Sequence, residues 1–116
     1  GGYAFYNCSS LTSITIPEGV TSVGNNTFSG CKSLSSITIP EGVTSIGSNA
    51  FSSASSLYAI QIKSITPPTL ANSGAIPNNE RLRIYVPYSE DHSILNNYKA
   101  ATNWAAHASK IMEYIE

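Results

Sequence analysis

Two cysteines, two glutamates and one Asp-His-Ser run are the residues of this 116-residue chain whose types and spacing bear on chemistry. Glu18 and Glu41 stand 23 residues apart, and Cys8 and Cys31 share that spacing. If the spacing is one turn of a coil, the glutamates lie about 5 Å apart, the carboxyl separation of a retaining glycosidase. That mechanism also needs one acid with a raised pKa in an enclosed cleft. A glutamate beside Gly19 or Gly42 in an open turn meets neither condition, so both read as solvated turn residues, with glycoside hydrolysis a remote alternative. The cysteine Cα atoms would fall in the roughly 4.4 to 6.8 Å window of a disulfide. Stacked side chains point the same way, however, which orients the sulfurs poorly. Two buried thiols are the favoured reading and a disulfide the alternative. Two cysteines without a paired histidine make no metal set. Asp91-His92-Ser93 holds the residue types of a hydrolase triad, but chain neighbours cannot align as nucleophile, base and orienter. His107, in an Ala-rich turn near Trp104, reads as a partly exposed packing residue. With no Gly-rich phosphate loop, HExxH or paired CxxC, the sequence predicts no enzyme, no cofactor and no metal.

The same 23-residue spacing governs the elements that would position these side chains. Phe5, Phe28 and Phe51 recur in register, as do Leu11, Leu34 and Leu57, then Ile14, Ile37 and Ile60, and Ile16, Ile39 and Ile62. Residues 5–26 and 28–49 agree at 16 of 22 positions. A fixed period of this length predicts a solenoid, in which each rung buries its apolar side against its neighbours. The last five positions of L-x-x-I-x-I-P alternate apolar and small polar residues, the period of a short strand. β-Branched Ile and Thr favour it, and Pro17 or Pro40 ends it, because proline has no amide proton for the next rung. Glu18-Gly19 and Glu41-Gly42 then turn the chain, and Val20, Val23, Val43 and Ile46 bring it back in loose spacing along the opposite wall. Gly24 and Gly47 punctuate that return, where the backbone needs positive φ or close approach. The inward positions are Phe5, Cys8, Leu11, Ile14, Ile16, Val20 and Val23 and their equivalents.

From Lys63 to Glu80 the pattern lapses into a Pro-, Asn- and Ser-rich stretch that reads as a loop. Ile84-Tyr85-Val86-Pro87 then restores the strand pattern, which predicts a fourth rung. Beyond Pro87 the composition favours helix, with Ser89 as N-cap and Ile94, Leu95, Tyr98 and Ala101 at helical spacing. Trp104, Ala105, Ala108 and Ile111 would add a further turn or two. The expected organisation is repeats over 1–62, a loop insertion and divergent last rung over 63–87, and a cap over 88–116. Gly1 lies one period before Gly24, so the chain is expected to start inside a repeat of a longer protein.

The string A-F-x-x-C-x-S-L-x-x-I-x-I-P-E-G-V-T-S-I-G resembles the leucine-rich repeats of bacterial BspA-like surface proteins. Ala4 to Gly24 and Thr27 to Gly47 carry it almost fully, with Val23 for the second Ile and Thr27 for the first Ala. Asn49 to Ile62 carries half of it, with Ala54 at the Cys position and Lys63 at the Pro position. The resemblance implies an α/β fold, a curved right-handed leucine-rich-repeat solenoid with a concave parallel sheet and a C-terminal helical cap. It also implies a secreted or cell-surface setting and a role in adhesion, with no shared catalytic residues to carry over.

The outer strand positions are the expected binding surface: Ser13, Thr15, Ser36, Thr38, Ala59, Gln61, Arg83 and Tyr85. Tyr58, Gln61, Arg83 and Tyr85 gather toward the cap, and Tyr and Arg are enriched at interface hot spots. The expected function is non-catalytic recognition of a host or bacterial surface protein or glycan, with a purely structural repeat-and-cap segment as the alternative. Charged residues are only 11% of the chain and the net charge is -1, so nothing attracts a nucleic acid. No apolar run reaches the roughly 18 to 20 residues that span a bilayer, so no membrane insertion is expected in this segment. An uncapped first rung around Phe5 and Leu11 would expose strand edges and invite self-association.

Overall fold

The computed structural model describes residues 5–77, 79 and 81–114, with the backbone alone for Thr15 and Ser73. Along the chain run the strands β1 (Ser13–Thr15), β2 (Ser22–Val23), β3 (Ser36–Ile39), β4 (Ser45–Ile46), β5 (Ala59–Ile62), β6 (Thr69–Leu70) and β7 (Arg83–Pro87). Helix α1 (Ser93–Ala100) and strand β8 (Ile111–Tyr114) follow. β1, β3, β5, β7 and β8 form one parallel sheet in that order. The 23-residue period appears as register: Ser13 pairs with Ser36, Ile14 with Ile37 and Thr15 with Thr38, and the next step pairs Ser36 with Ala59 and Thr38 with Gln61. Ile37, Ile39, Ile60, Ile62, Ile84 and Val86 point inward and are buried, while their neighbours stay half-exposed.

The opposite wall is more regular than its loose spacing predicts. β2, β4 and β6 form a second parallel sheet, with Val23 beside Ile46 and Ile46 beside Leu70. A two-residue strand is too short to show a period, and its hydrogen bonds come only from the adjoining rungs.

β6 lies inside the stretch read from composition as a loop, and the structure corrects that reading. The segment after Lys63 makes a full circuit, with a 3-10 turn at Ser73–Ala75. Phe51 N–H donates to Ala75 O as Phe28 N–H donates to Ala50 O and Phe5 N–H to Thr27 O. Buried Ile76 therefore stands where earlier rungs have Phe. Asn79 stands at the cysteine position, its amide donating to Ala54 O at 2.9 Å and to Leu57 O at 3.2 Å. Cys31 also bonds back to the preceding rung, but to a different carbonyl, its thiol donating to Phe5 O at 3.0 Å. Polar exchanges such as Cys to Asn hide the repeat from a composition reading, yet the side chain at this position still donates to a backbone carbonyl of the preceding rung.

The core is a set of columns. Phe5, Phe28 and Phe51 stack with ring centroids 5.4 and 5.2 Å apart and planes within 3° and 8° of parallel. The tight turns beside them use left-handed residues one period apart, Asn7 (φ 57°), Gly30 (φ 78°) and Ser53 (φ 62°). Gly47 is a close approach instead: a Cβ there would lie 2.5 Å from Asn25 N. At the β1 end the columns open into an apolar hollow of about 330 Å3, lined by Phe5, Ile14, Ile16, Val20, Val23 and Phe28.

At the other end the cap closes the stack. Tyr98 and Trp104 are fully buried and meet edge to face at 5.3 Å. Each is tied to the fourth circuit: the Tyr98 hydroxyl donates to Ser64 O at 2.7 Å, and Trp104 Nε1 donates to Pro68 O at 2.7 Å. Asn103 Nδ2 adds a bond to Leu70 O at 2.8 Å. Helix α1 starts later than Ser89 suggests. Its N-cap is His92, in the left-handed region at φ 60°, and Ser89 Oγ still accepts from Ile94 N at 3.3 Å. The helical spacing expected through Ile111 also gives way. After a 3-10 helix at Ala105–Lys110 the chain turns into β8, with Ile84 beside Ile111 and Tyr85 beside Met112. The free edge of β7 recruits this segment, and no local signal in its four residues outweighs the helix formers before it. Among the described residues no helix is long and apolar enough to cross a membrane.

Candidate functional site: the outer face of the sheet and its cap-proximal end

Residues that could react are kept apart or occupied. Cys8 and Cys31 are both free thiols, but only Cys31 is buried, while Cys8, on the first described rung, is half-exposed; burial pushes the Cys31 thiol above its ordinary pKa, away from the nucleophilic thiolate. Glu18 and Glu41 are exposed in their turns. His92 turns away from Ser93, its Nδ1 lying 2.8 Å from Glu113 Oε2 and 2.9 Å from Oε1. Asp91 accepts from Ser93 N–H at 3.0 Å, and this bond holds its carboxyl below the usual carboxylate range. His107 is buried beneath the cap, where the sequence reading places it partly exposed. Among the described residues no three His, Cys, Asp or Glu side chains gather as a metal site.

The predicted outer positions fall into two registered rows, Ser13–Ser36–Ala59–Arg83 and Thr15–Thr38–Gln61–Tyr85. The Thr15 side chain lies outside the described part of the structure. Rungs about 4.8 Å apart spread each row over roughly 14 Å, so these residues form a strip. Tyr58, just before β5, is exposed. The rows change character along the strip, from hydroxyls at β1 to Arg83 and Tyr85 at β7.

Strand β8 extends that change. It sets Met112 beside Tyr85 and Tyr114 beside Pro87, both exposed. Sequence reasoning missed these two because it took their segment for cap helix, and Ile111-Met112-Glu113-Tyr114 has no alternation to mark it as a strand; its pairing with the β7 edge places it. Where β3, β5, β7 and β8 end, a cleft of about 400 Å3 opens between Glu41, Gln61, Lys63, Pro87, Tyr88 and Tyr114. Tyr88 meets the His92 ring edge to face at 6.1 Å and 84°. The contact of His92 with Glu113 thus links the base of helix α1 to the strand that carries Tyr114.

Two stacked parallel sheets built from one repeated circuit, closed by a helical cap, define a leucine-rich-repeat solenoid. The profile of the BspA-type leucine-rich repeat region matches residues 1–83 in six copies, and the chain belongs to that family. Among curated proteins none matches the chain.

Proposed function

We propose that this chain is a non-catalytic recognition and adhesion module of a secreted or cell-surface protein, binding a protein or glycan through the concave outer face near the cap. The observation that carries this reading is the graded composition of the registered rows. Hydroxyl side chains at β1 and β3 give way to Arg83, Tyr85 and Met112 at β7 and β8. Tyr, Arg and Met are the side chains enriched in interface cores. A parallel sheet also fixes them on a rigid surface, which lowers the ordering cost of binding. Family membership supports a surface setting, because such repeats are common in surface proteins; the fold alone supports no particular ligand. Burial of the Cys31 thiol and exposure of both glutamates favour binding over catalysis.

The test is binding of the purified chain to an array of extracellular-matrix proteins and glycans, beside an Arg83→Ala/Tyr85→Ala variant. The expected result is a retained partner whose affinity falls at least about tenfold in the variant, as two hot-spot truncations of over 1 kcal/mol each require. A partner bound equally by both proteins removes this surface from the reading. Binding that survives deletion of this segment from a longer parent favours the purely structural role.

A further inference from the structure

The cleft at the carboxyl ends of the strands has a different composition from the face beside it. Its lining coincides with departures from the repeat. The first two rungs end in Pro17-Glu18 and Pro40-Glu41, whereas the third ends in Lys63-Ser64, the fourth in Pro87-Tyr88, and the fifth brings Tyr114 opposite Pro87. Glu41, Gln61, Lys63, Tyr88 and Tyr114 thus reach one space from four different rungs. Its volume of about 400 Å3 suits a small ligand or one segment of a longer one.

The two aromatic walls are held from behind. Tyr88 and Tyr114 are 44% and 41% exposed, yet neither stands alone. Tyr88 rests edge to face on His92, and His92 is gripped by both oxygens of Glu113, the chain neighbour of Tyr114. Glu113 is itself only 15% exposed, so the pair is shielded from water on one side. A single His92–Glu113 contact therefore sets the spacing of both rings before any ligand arrives.

The polar lining opposes one carboxylate, Glu41, to one ammonium, Lys63, with the Gln61 amide on the same rung as Lys63. Such a lining has no net charge with which to select an anion or a cation. It offers donors and acceptors of both kinds to a neutral ligand. A ligand that pairs flat C–H faces with a rim of hydroxyls matches tyrosine rings on one side and amide, carboxylate and ammonium on the other. We propose that this cleft binds a pyranose unit or short segment of a neutral saccharide, packed against Tyr88 and Tyr114 and hydrogen-bonded by Gln61, Glu41 and Lys63. The proposal rests on the recognition reading but uses neither Arg83 nor Tyr85.

The experiment is titration of the full chain with soluble neutral oligosaccharides: β-1,4-glucan, xylan, mannan, α-glucan and N-acetylglucosamine oligomers. A peptide-display library is screened in parallel. The expected result is binding of at least one of these sugars, weakened about tenfold by Tyr88→Ala and by Tyr114→Ala, the loss of one aromatic contact. His92→Ala should weaken it less, by loosening Tyr88 without removing a contact. Both rings are exposed, so unchanged circular dichroism and melting temperature will show that the variants fold. The proposal is overturned if no neutral sugar binds, if the Tyr88→Ala/Tyr114→Ala variant binds as well as the parent, or if only a peptide competes for these tyrosines. A partner lost with Arg83→Ala/Tyr85→Ala while no sugar binds would sink the cleft and leave the recognition reading standing. Retention of no partner of any class would sink both.

Discussion

Tyr98 ties the cap to the last circuit through one hydroxyl. Its ring is fully buried, its O–H donates to Ser64 O at 2.7 Å, and burial pushes the phenol pKa well above its ordinary value. Tyr98→Phe keeps the ring and removes the bond, so the expected loss is about 1 to 2 kcal/mol in urea denaturation at pH 7. The pH dependence follows from the direction of the shift. The neutral phenol is favoured in the folded chain, so its contribution is complete below the unfolded pKa of about 10 and falls as pH rises beyond that value toward the higher folded pKa. Denaturation series between pH 7 and 11.5 should show the parent losing stability more steeply above pH 10 than Tyr98→Phe. Parallel slopes would place the alkaline transition on another group.

At the scale of one rung, Phe28 is the side chain with the most at stake. It is 2% exposed and stacked on both sides, against Phe5 and against Phe51. Phe28→Ala opens a cavity between two rungs at once, and the expected loss is about 3 to 5 kcal/mol by chemical denaturation. A loss under 1 kcal/mol would mean that the neighbouring rungs close over the gap. Elements differ in how far they could be read in advance. β1, β3, β5 and β7 are legible because three to five alternating residues recur after 23 residues, or 24 before β7. β2, β4 and β6 are two residues each, and what defines them is a partner one circuit away. β8 is legible only once a free strand edge on β7 is known.

The whole molecule is a stack in which each rung is covered by the next, and the cap is the last cover. Trp104 is fully buried at that junction, with its indole N–H bonded to Pro68 O. Trp104→Ala should destabilise by about 3 to 5 kcal/mol. The loss should also be uneven, since a quasi-one-dimensional stack transmits it to neighbours. Hydrogen exchange should speed up most in β6, β7 and β8 and least in β1 and β3. Uniform acceleration along the chain would show a single cooperative unit in place of a stack.

The circuit is written in the order of residues: which side chains face inward, the register of the outer rows, and the end that carries the cap. Those features repeat every 23 residues, and repetition reports the local environment three times over. The fourth circuit through Leu70, Ile76 and Asn79, the fifth strand, and the convergence of Tyr88, Tyr114, Lys63 and Gln61 on one cleft come only from the folded arrangement. Their positions depend on contacts between segments far apart in the chain, where a cysteine can be exchanged for an asparagine that also bonds back to the preceding rung and a strand forms because an edge awaits it. No window of neighbouring residues holds that information.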